Sequence, residues 1–339
     1  MDLVKLIEIW LTDRKFYVEL DGQVSHVLES EDGTIQGSVL GPILYAIFVS
    51  PLFDLANLTN FADDNFILKF NAKINELIPN MEQKLEMITK WLKDSGLKVN
   101  ENKTELCLFH RNDTQLISLS LQGQVINSKK SINVLGVTFD SKLIWNIQTA
   151  NAISKANKSL YAIKSISKFL NGREIKTLLT SNFYSTLYYN SEIWLSHLLD
   201  QNSKQTLLSA SAKALRLTMP LANSLISFEE IHKKSNQSTP SQIVQYKNAL
   251  ELYKLFNAAQ PSKNWIDLTN QITVNNRQKF FNCIRVNNFK IGLSTMVNKF
   301  FSLNNKIELE ILNLSYPAYK KKCKSIFKPY EINVIRLWN

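Results

Sequence analysis

The chain has 339 residues, 45% of them hydrophobic, with only nine glycines and eight prolines. That is enough apolar material for a sizeable core and about two domains, and it excludes a disordered or fibrous chain. The net charge of +11 is unevenly spread: residues 1–150 hold 14 Lys/Arg and 19 Asp/Glu, and residues 151–339 hold 26 and 10.

An acidic front and a strongly basic back suggest an acid-bearing site next to a polyanion-binding surface. The competing reading is a basic exterior that is merely solvated. Cys107, Cys283 and Cys323 are too scattered for a disulfide framework, and neither they nor His26, His110, His197 and His232 have metal-ligand spacing. A reducing compartment follows, in the nucleus or cytoplasm. No run of 18 apolar residues is long enough to span a membrane, and the N-terminus has no secretory pattern.

Residues 3–11 read as a short amphipathic helix. Strands over Phe16–Leu20 and Gln23–Leu28 meet at Asp21-Gly22, a strong hairpin signal. Gly33 to Gly41 carries three glycines, which implies positive φ or close backbone approach. The run from Val39 to Leu55 is apolar enough for a buried helix, with Pro42 in its first turn and Ser38 as a possible cap.

Next come Asp63 and Asp64, flanked by Phe61-Ala62 and by Phe66 to Phe70. The flanks read as strands. Turn geometry alone would favour Asn-Gly or Asp-Gly at the tip. Two adjacent carboxylates suit a hard cation better, although a solvated turn is the commoner role of such a pair.

Residues 74–95 predict a helix whose apolar stripe is core, closed by Gly96. Strands are expected at 105–109 and 132–139, the latter containing Leu135-Gly136-Val137, with a hairpin around Gln122-Gly123 between them. The 59–66 hairpin should lie at the edge of one sheet with these two strands. From Ile147 onward helices are expected near 153–170, 175–187 and 207–217, then near 241–258, 292–313 and 316–327, with polar breaks at 235–241 and 260–263.

Lys155, Lys158, Lys164 and Lys168 recur along the first of these helices, and Arg173 and Lys176 begin the next. They read as phosphate contacts, or else as a face that keeps the chain soluble.

The order of four stretches carries more information than any one of them: Gln36-Gly37-Ser38-Val39-Leu40-Gly41-Pro42, Phe61-Ala62-Asp63-Asp64, Asn102-Lys103-Thr104 and Val134-Leu135-Gly136-Val137. That order and spacing resembles the reverse transcriptases of non-LTR, LINE-type, Jockey-like retrotransposons. Leu11-Thr12-Asp13-Arg14 upstream and Phe139 to Trp145 downstream are similar to the family's flanking segments. The resemblance covers residues 1–220 and fades beyond.

It implies an α+β fold: a partial polymerase palm over 1–145, a helical thumb over 146–220, and a basic, mostly helical region over 221–339. It also implies an RNA-directed DNA polymerase using magnesium in a two-metal site. On this resemblance Asp63 and Asp64 are metal ligands. Gln36 and Gly37 line the incoming nucleotide and template. Lys103 lies near the leaving phosphates, though it reads equally well as a surface lysine. Leu135, Gly136 and Val137 match the strand turn that grips the primer end, or form an ordinary core strand. RNA template, DNA primer or an RNA–DNA hybrid, and deoxynucleotides are the implied partners.

Two departures stand out. Thr34-Ile35 replaces the family's usual Val-Pro before Gln36. The stretch ahead of Gln36 also contains no match to the family's first catalytic aspartate; Asp2, Asp13 and Asp54 are in the wrong contexts. An N-terminally truncated, inactive fragment is therefore expected. The alternatives are a non-catalytic nucleic-acid-binding remnant and an inert piece.

Overall fold

The computed structural model describes residues 2–30, 32–56, 58–69, 71, 73–109, 116–195, 200–219, 226–257, 272–275, 280–283 and 315–327. The fold is α+β: among the described residues helices dominate, and the strands pair antiparallel in six two-stranded sheets. The chain divides into two compact units, Met1–Leu106 with Ile117–Ser128, and Cys107–Leu116 with Lys129–Asn339.

The front unit opens with α1 (Leu3–Leu11), followed by β1 (Arg14–Phe16), β2 (Glu19–Leu20), β3 (Gln23–Val24) and β4 (Leu28–Ser30). β2 and β3 form the expected hairpin at Asp21-Gly22, and β1 pairs with β4 around it. Helix α2 (Gly41–Ala56) starts as its sequence dictates. Ser38 Oγ accepts from Gly41 N at 3.1 Å, and Pro42 gives up a backbone N–H that no helical partner would have met.

The expectation of a buried α2 is wrong. Only Val49 and Leu52 among its large side chains are buried, while Ile43, Ile47 and Phe48 are largely exposed. α1 buries no residue at all. Being apolar all round tells a helix to find partners; within this unit too few elements cover it.

α3 (Ile74–Asp94) forms over the expected residues, although Ile88 is the only fully buried member of its stripe. The helix ends in a Schellman motif: Gly96 takes φ +75°, Gly96 N donates to Lys93 O, and Leu97 N donates to Leu92 O at 2.8 Å. Its stripe packs Ile88, Trp91 and Leu92 against Leu52 and Leu58, forming the small core of this unit. Against α3 also lies the hairpin β7 (Ser118–Leu121)–β8 (Gln124–Asn127), whose Ser120 N donates to Glu82 Oε1 at 2.9 Å. Its turn is Gln122-Gly123, both at positive φ, as the sequence predicted.

Two strand expectations fail. Residues 105–109 form no strand; Leu106 makes only an isolated bridge to Ser128. Residues 132–139 are a hairpin rather than one strand: β9 (Ser131–Val134) turns at Leu135-Gly136 into β10 (Val137–Asp140). Leu135 at φ +48° and Gly136 at φ +81° make this a two-residue turn of the kind that matches strand twist. The sheet expected to join the 59–66, 105–109 and 132–139 segments is therefore not formed. Each hairpin pairs only with itself.

The back unit is built on α4 (Asn146–Ile166). A continuous helical stretch follows as α5 (Gly172–Leu178), a π-helical turn over Leu179–Tyr184 and α6 (Ser185–Leu187). Then come α7 (Ser191–Trp194), α8 (Gln201–Arg216), α9 (Phe228–Lys234) and α10 (Pro240–Phe256). Their caps are legible in sequence. Asn171 with Glu174, Ser227 with Glu230, and Thr239 with Gln242 each form a reciprocal capping box. The core gathers Ala156, Ile163, Leu179, Phe183, Leu187, Trp194, Leu207 and Leu215.

α11 (Tyr316–Phe327) packs on α10, with Tyr319 donating to Ala249 O at 2.7 Å. The pair β11 (Ile272–Asn275) and β12 (Phe280–Cys283) is antiparallel, and no strand was expected there. The helix expected at 292–313 and the break at 260–263 lie outside the described residues. Among the described residues no helix is long and apolar enough to cross a membrane.

Candidate functional site

The acidic pair sits on a short hairpin. β5 (Thr59–Phe61) and β6 (Asp64–Phe66) pair so that Phe61 faces Asp64. The turn is thus Ala62-Asp63, with Asp64 starting the return strand, one residue earlier than a tip made of both acids. Ala62 is at φ +54°. A side chain in that region costs roughly 1–2 kcal/mol, so the turn needs bracing.

Two asparagines supply it. Asn60 Nδ2 donates to Ala62 O at 2.8 Å and to Asn65 Oδ1 at 3.0 Å, and Asn65 Nδ2 donates to Asp63 O at 3.3 Å. The sequence reading missed both, although amide side chains facing each other across a two-residue turn are a recognisable signal.

Asp63 and Asp64 are exposed. Tyr45 of α2 lies near enough to Asp63 that its hydroxyl is held above its usual pKa, first by burial and then by the Asp63 charge. Magnesium takes hard oxygen ligands, and two carboxylates are the right kind. Among the described residues no group of three or more His, Cys, Asp or Glu comes together. The donor set therefore fits magnesium in kind and falls short in number.

Gln36 and Gly37 form the centre of a turn closed by Ser38 N donating to Ile35 O at 3.1 Å. Gly37 takes φ +84°, which a turn of this shape demands at its third position. Both residues are exposed. Gly41 is needed for a different reason: a Cβ there would meet Ser38 Oγ at 2.8 Å and Thr34 Oγ1 at 3.0 Å. Arg14 fastens the start of this loop. Its Nη2 donates to Asp32 O at 3.0 Å and Gly33 O at 2.8 Å, and its Nε donates to Leu11 O. Lys103 is exposed at the end of a 3-10 turn, Glu101–Lys103.

In the back unit, the Leu135-Gly136 tip is fixed from two sides. Asn133 Oδ1 accepts from Gly136 N at 3.0 Å, and the Tyr189 hydroxyl donates to Leu135 O at 3.1 Å. A Cβ on Gly136 would press on the Tyr189 ring at 3.4 Å. Val137 is buried.

Beyond this hairpin, Asp140 holds the link into α4. It is 6% exposed. Its Oδ1 accepts from Lys142 N and Ile144 N at 3.2 and 3.1 Å, and its Oδ2 accepts from Trp145 N at 2.8 Å. This fixes Trp145 at φ +67° immediately ahead of α4.

The basic residues follow. Lys155, Lys158 and Lys164 lie on α4, and Arg173 and Lys176 on α5. Lys168 is not on α4 but on the 3-10 turn Ser167–Phe169, where its Nζ stands 4.8 Å from the Phe169 ring centroid. All six are exposed, and none has an ion pair among the described residues. Between residues 141 and 228 the sequence has three acids, Glu174, Glu192 and Asp200, against ten Lys/Arg. Each acid is engaged: Glu174 in the α5 cap, Glu192 with Lys247 at 3.1 Å, and Asp200 in capping α8. The cationic face is left uncompensated.

Residues 3–139 match the family described as Reverse transcriptase (RNA-dependent DNA polymerase). The chain is similar to the RNA-directed DNA polymerase from mobile element jockey of Drosophila melanogaster, 28% identical over 163 residues, covering 44% of this chain and 18% of that protein. It is also similar to a protein of the same species described as "Probable RNA-directed DNA polymerase from transposon BS", 29% identical over 152 residues, covering 41% of this chain and 17% of that protein. The matched stretch thus spans less than a fifth of these relatives. No solved structure matches.

Proposed function

We propose, for a chain whose residues 3–139 belong to the reverse transcriptase family and are Jockey-like, that it is a palm-and-thumb piece of a retrotransposon polymerase which binds nucleic acid without completing the polymerase reaction. Residues 1–145 are read as partial palm, 146–220 as thumb, and 221–339 as a basic region of unassigned role. Asp63 and Asp64 would hold magnesium, whose contribution when bound is to neutralise phosphate charge during nucleotidyl transfer. Gln36 and Gly37 would line the nucleotide and template, Lys103 the leaving phosphates, and Leu135, Gly136 and Val137 the primer end.

Among the described residues no third acid joins Asp63 and Asp64, so the pair by itself offers less charge than that chemistry takes. Binding needs no third acid. The observation that carries the reading is the uncompensated set Lys155, Lys158, Lys164, Lys168, Arg173 and Lys176. Lysines meet phosphates as point charges, and each contact releases condensed counterions.

The test is affinity for an RNA template, a DNA primer and an RNA–DNA hybrid over a range of salt. On single strands the log–log slope should be about −0.7 per phosphate contacted. Absence of binding near 50 mM salt, or affinity indifferent to salt, would show instead that the face only keeps the chain soluble.

A further inference from the structure

One side of α4 forms a groove with α8. Ala150, Ile153, Ser154, Asn157, Lys158 and Tyr161 of α4 line it, facing Thr206 of α8. Tyr161 is 72% exposed. A tyrosine ring left that open contributes little to the core, and its flat face is available to a ligand. Neither helix contains a single Asp or Glu. Lys158 is the cation in the lining, and Lys155 and Lys164 lie on the same helix; on α8, Arg216 stands over the Phe228 ring instead and Lys204 is near the capping Asp200.

Helical spacing narrows which cations matter. Lys158 and Lys164 stand three residues before and three after Tyr161, so they flank the ring on its own side of α4. Lys155 lies six residues before Tyr161, about 120° away around the helix. Six residues of helix put Lys158 and Lys164 about 9 Å apart along the axis, one on either side of the ring. Ser154, Asn157 and Thr206 add short hydrogen-bonding side chains to the groove.

An exposed aromatic face between two cations, in a groove with no acid among its lining residues, suits a polyanion with flat apolar groups between its charges. Single-stranded nucleic acid has that chemistry. A duplex does not, because its base faces are stacked on one another, and an acidic peptide lacks the flat groups.

We propose that Tyr161 is a stacking platform for one unpaired base of a single strand lying in the α4–α8 groove, with Lys158 and Lys164 on the phosphates either side of that base. This rests on the nucleic-acid reading of the basic face and specifies the form of nucleic acid it takes. Base–aromatic stacking tolerates any sequence, so no base preference is implied.

The experiment measures fluorescence anisotropy of labelled single-stranded RNA, single-stranded DNA and a blunt duplex with the full chain, alongside Tyr161→Ala, Tyr161→Phe, Lys158→Ala and Lys155→Ala. Tyr161→Ala should weaken both single strands about 5- to 150-fold, the range spanned by one stacked base. It should leave duplex affinity and the salt slope unchanged, and Tyr161→Phe should bind like the parent. Lys158→Ala should reduce the single-strand slope by about 0.7, and Lys155→Ala should leave the Tyr161 effect intact. Thermal melts of the Tyr161 variants should match the parent.

Equal loss on single strands and duplex, or no loss, while the parent still binds with a salt-dependent slope, overturns the stacking site and leaves the basic-face reading standing. Equal competition by a polyglutamate peptide before and after Tyr161→Ala overturns it too. If the parent binds no nucleic acid, both readings fall.

Discussion

Replacing Asp140 with alanine tests whether the joint between the β9–β10 hairpin and α4 rests on one carboxylate. The side chain is 6% exposed and accepts three backbone N–H groups, from Lys142, Ile144 and Trp145. Without it the Trp145 amide is left unpaired beside a side chain that is only 4% exposed. A buried donor left unmet costs about 1–3 kcal/mol. The Lys142 and Ile144 amides have water within easier reach and lose only net bonds to a charged acceptor, about 1.5 kcal/mol each at the low end of that class.

Leu143 and Trp145 are also at positive φ, +53° and +67°, a conformation each adopts at a cost the carboxylate helps to hold. The sum is a loss of about 4–6 kcal/mol. For a cooperative unit of this size that lowers Tm by roughly 8–24 °C. The assay is urea and thermal unfolding followed by tryptophan fluorescence, with Asp140→Asn as the milder variant because it keeps one carbonyl acceptor. A loss under about 1 kcal/mol for the alanine variant would refute the reasoning, since it falls below the cost of a single buried orphan donor.

Gly136→Ala should cost about 1–2 kcal/mol, because it puts a Cβ at φ +81° and against the Tyr189 ring; denaturant midpoints would check it, and an unchanged midpoint would mean the turn relaxes freely. His232 is buried, and burial holds its pKa below the ordinary value, the backbones of Ser238 and Gln237 and the Glu229 charge countering only in part. The unfolded chain therefore binds more protons than the folded one as pH falls below about 6.5, and stability should drop there. Comparing urea midpoints at pH 7.5 and 5.5 for the parent and His232→Leu should show a smaller pH effect in the variant. Supplied with magnesium, a primed RNA template and deoxynucleotides, the purified chain should not extend the primer. Extension that Asp63→Asn abolishes would reveal a substitute carboxylate.

What could be read from the residues was mostly local. α3 carries its own stripe and Gly96 its own stop, so both were visible. Capping boxes and the Asp21-Gly22 and Gln122-Gly123 turns are written in adjacent letters. The hydrophobic run from Ile132 to Phe139 looks unbroken and reads as one strand; only the glycine and the family resemblance point to a turn at Leu135-Gly136, and Leu135 hides it by taking positive φ itself. The burial of α2 was misjudged because apolarity says what a helix needs, not what reaches it. The acids at 63 and 64 were found as letters, while their bracing by Asn60 and Asn65 required the strand register. Asp140 passed as one more residue of a resembling tail, since its three bonds depend on a chain reversal that no propensity encodes.

The uncovered faces of α1 and α2 bear on how a cell would treat this chain. Leu3, Val4, Ile43 and Ile47 are all more than half exposed, and the front unit's core is a handful of side chains. Surfaces like these are what chaperones hold and what quality-control proteases inspect, because they resemble a chain that has not finished folding. The back unit, with a full core, would melt as one cooperative body; the front would open at far lower cost and more often. Abundance in vivo would then be set by the turnover of residues 1–106 rather than by the tightly packed helices downstream. A partner polypeptide that covered those leucines and isoleucines would lengthen the protein's lifetime without touching its chemistry.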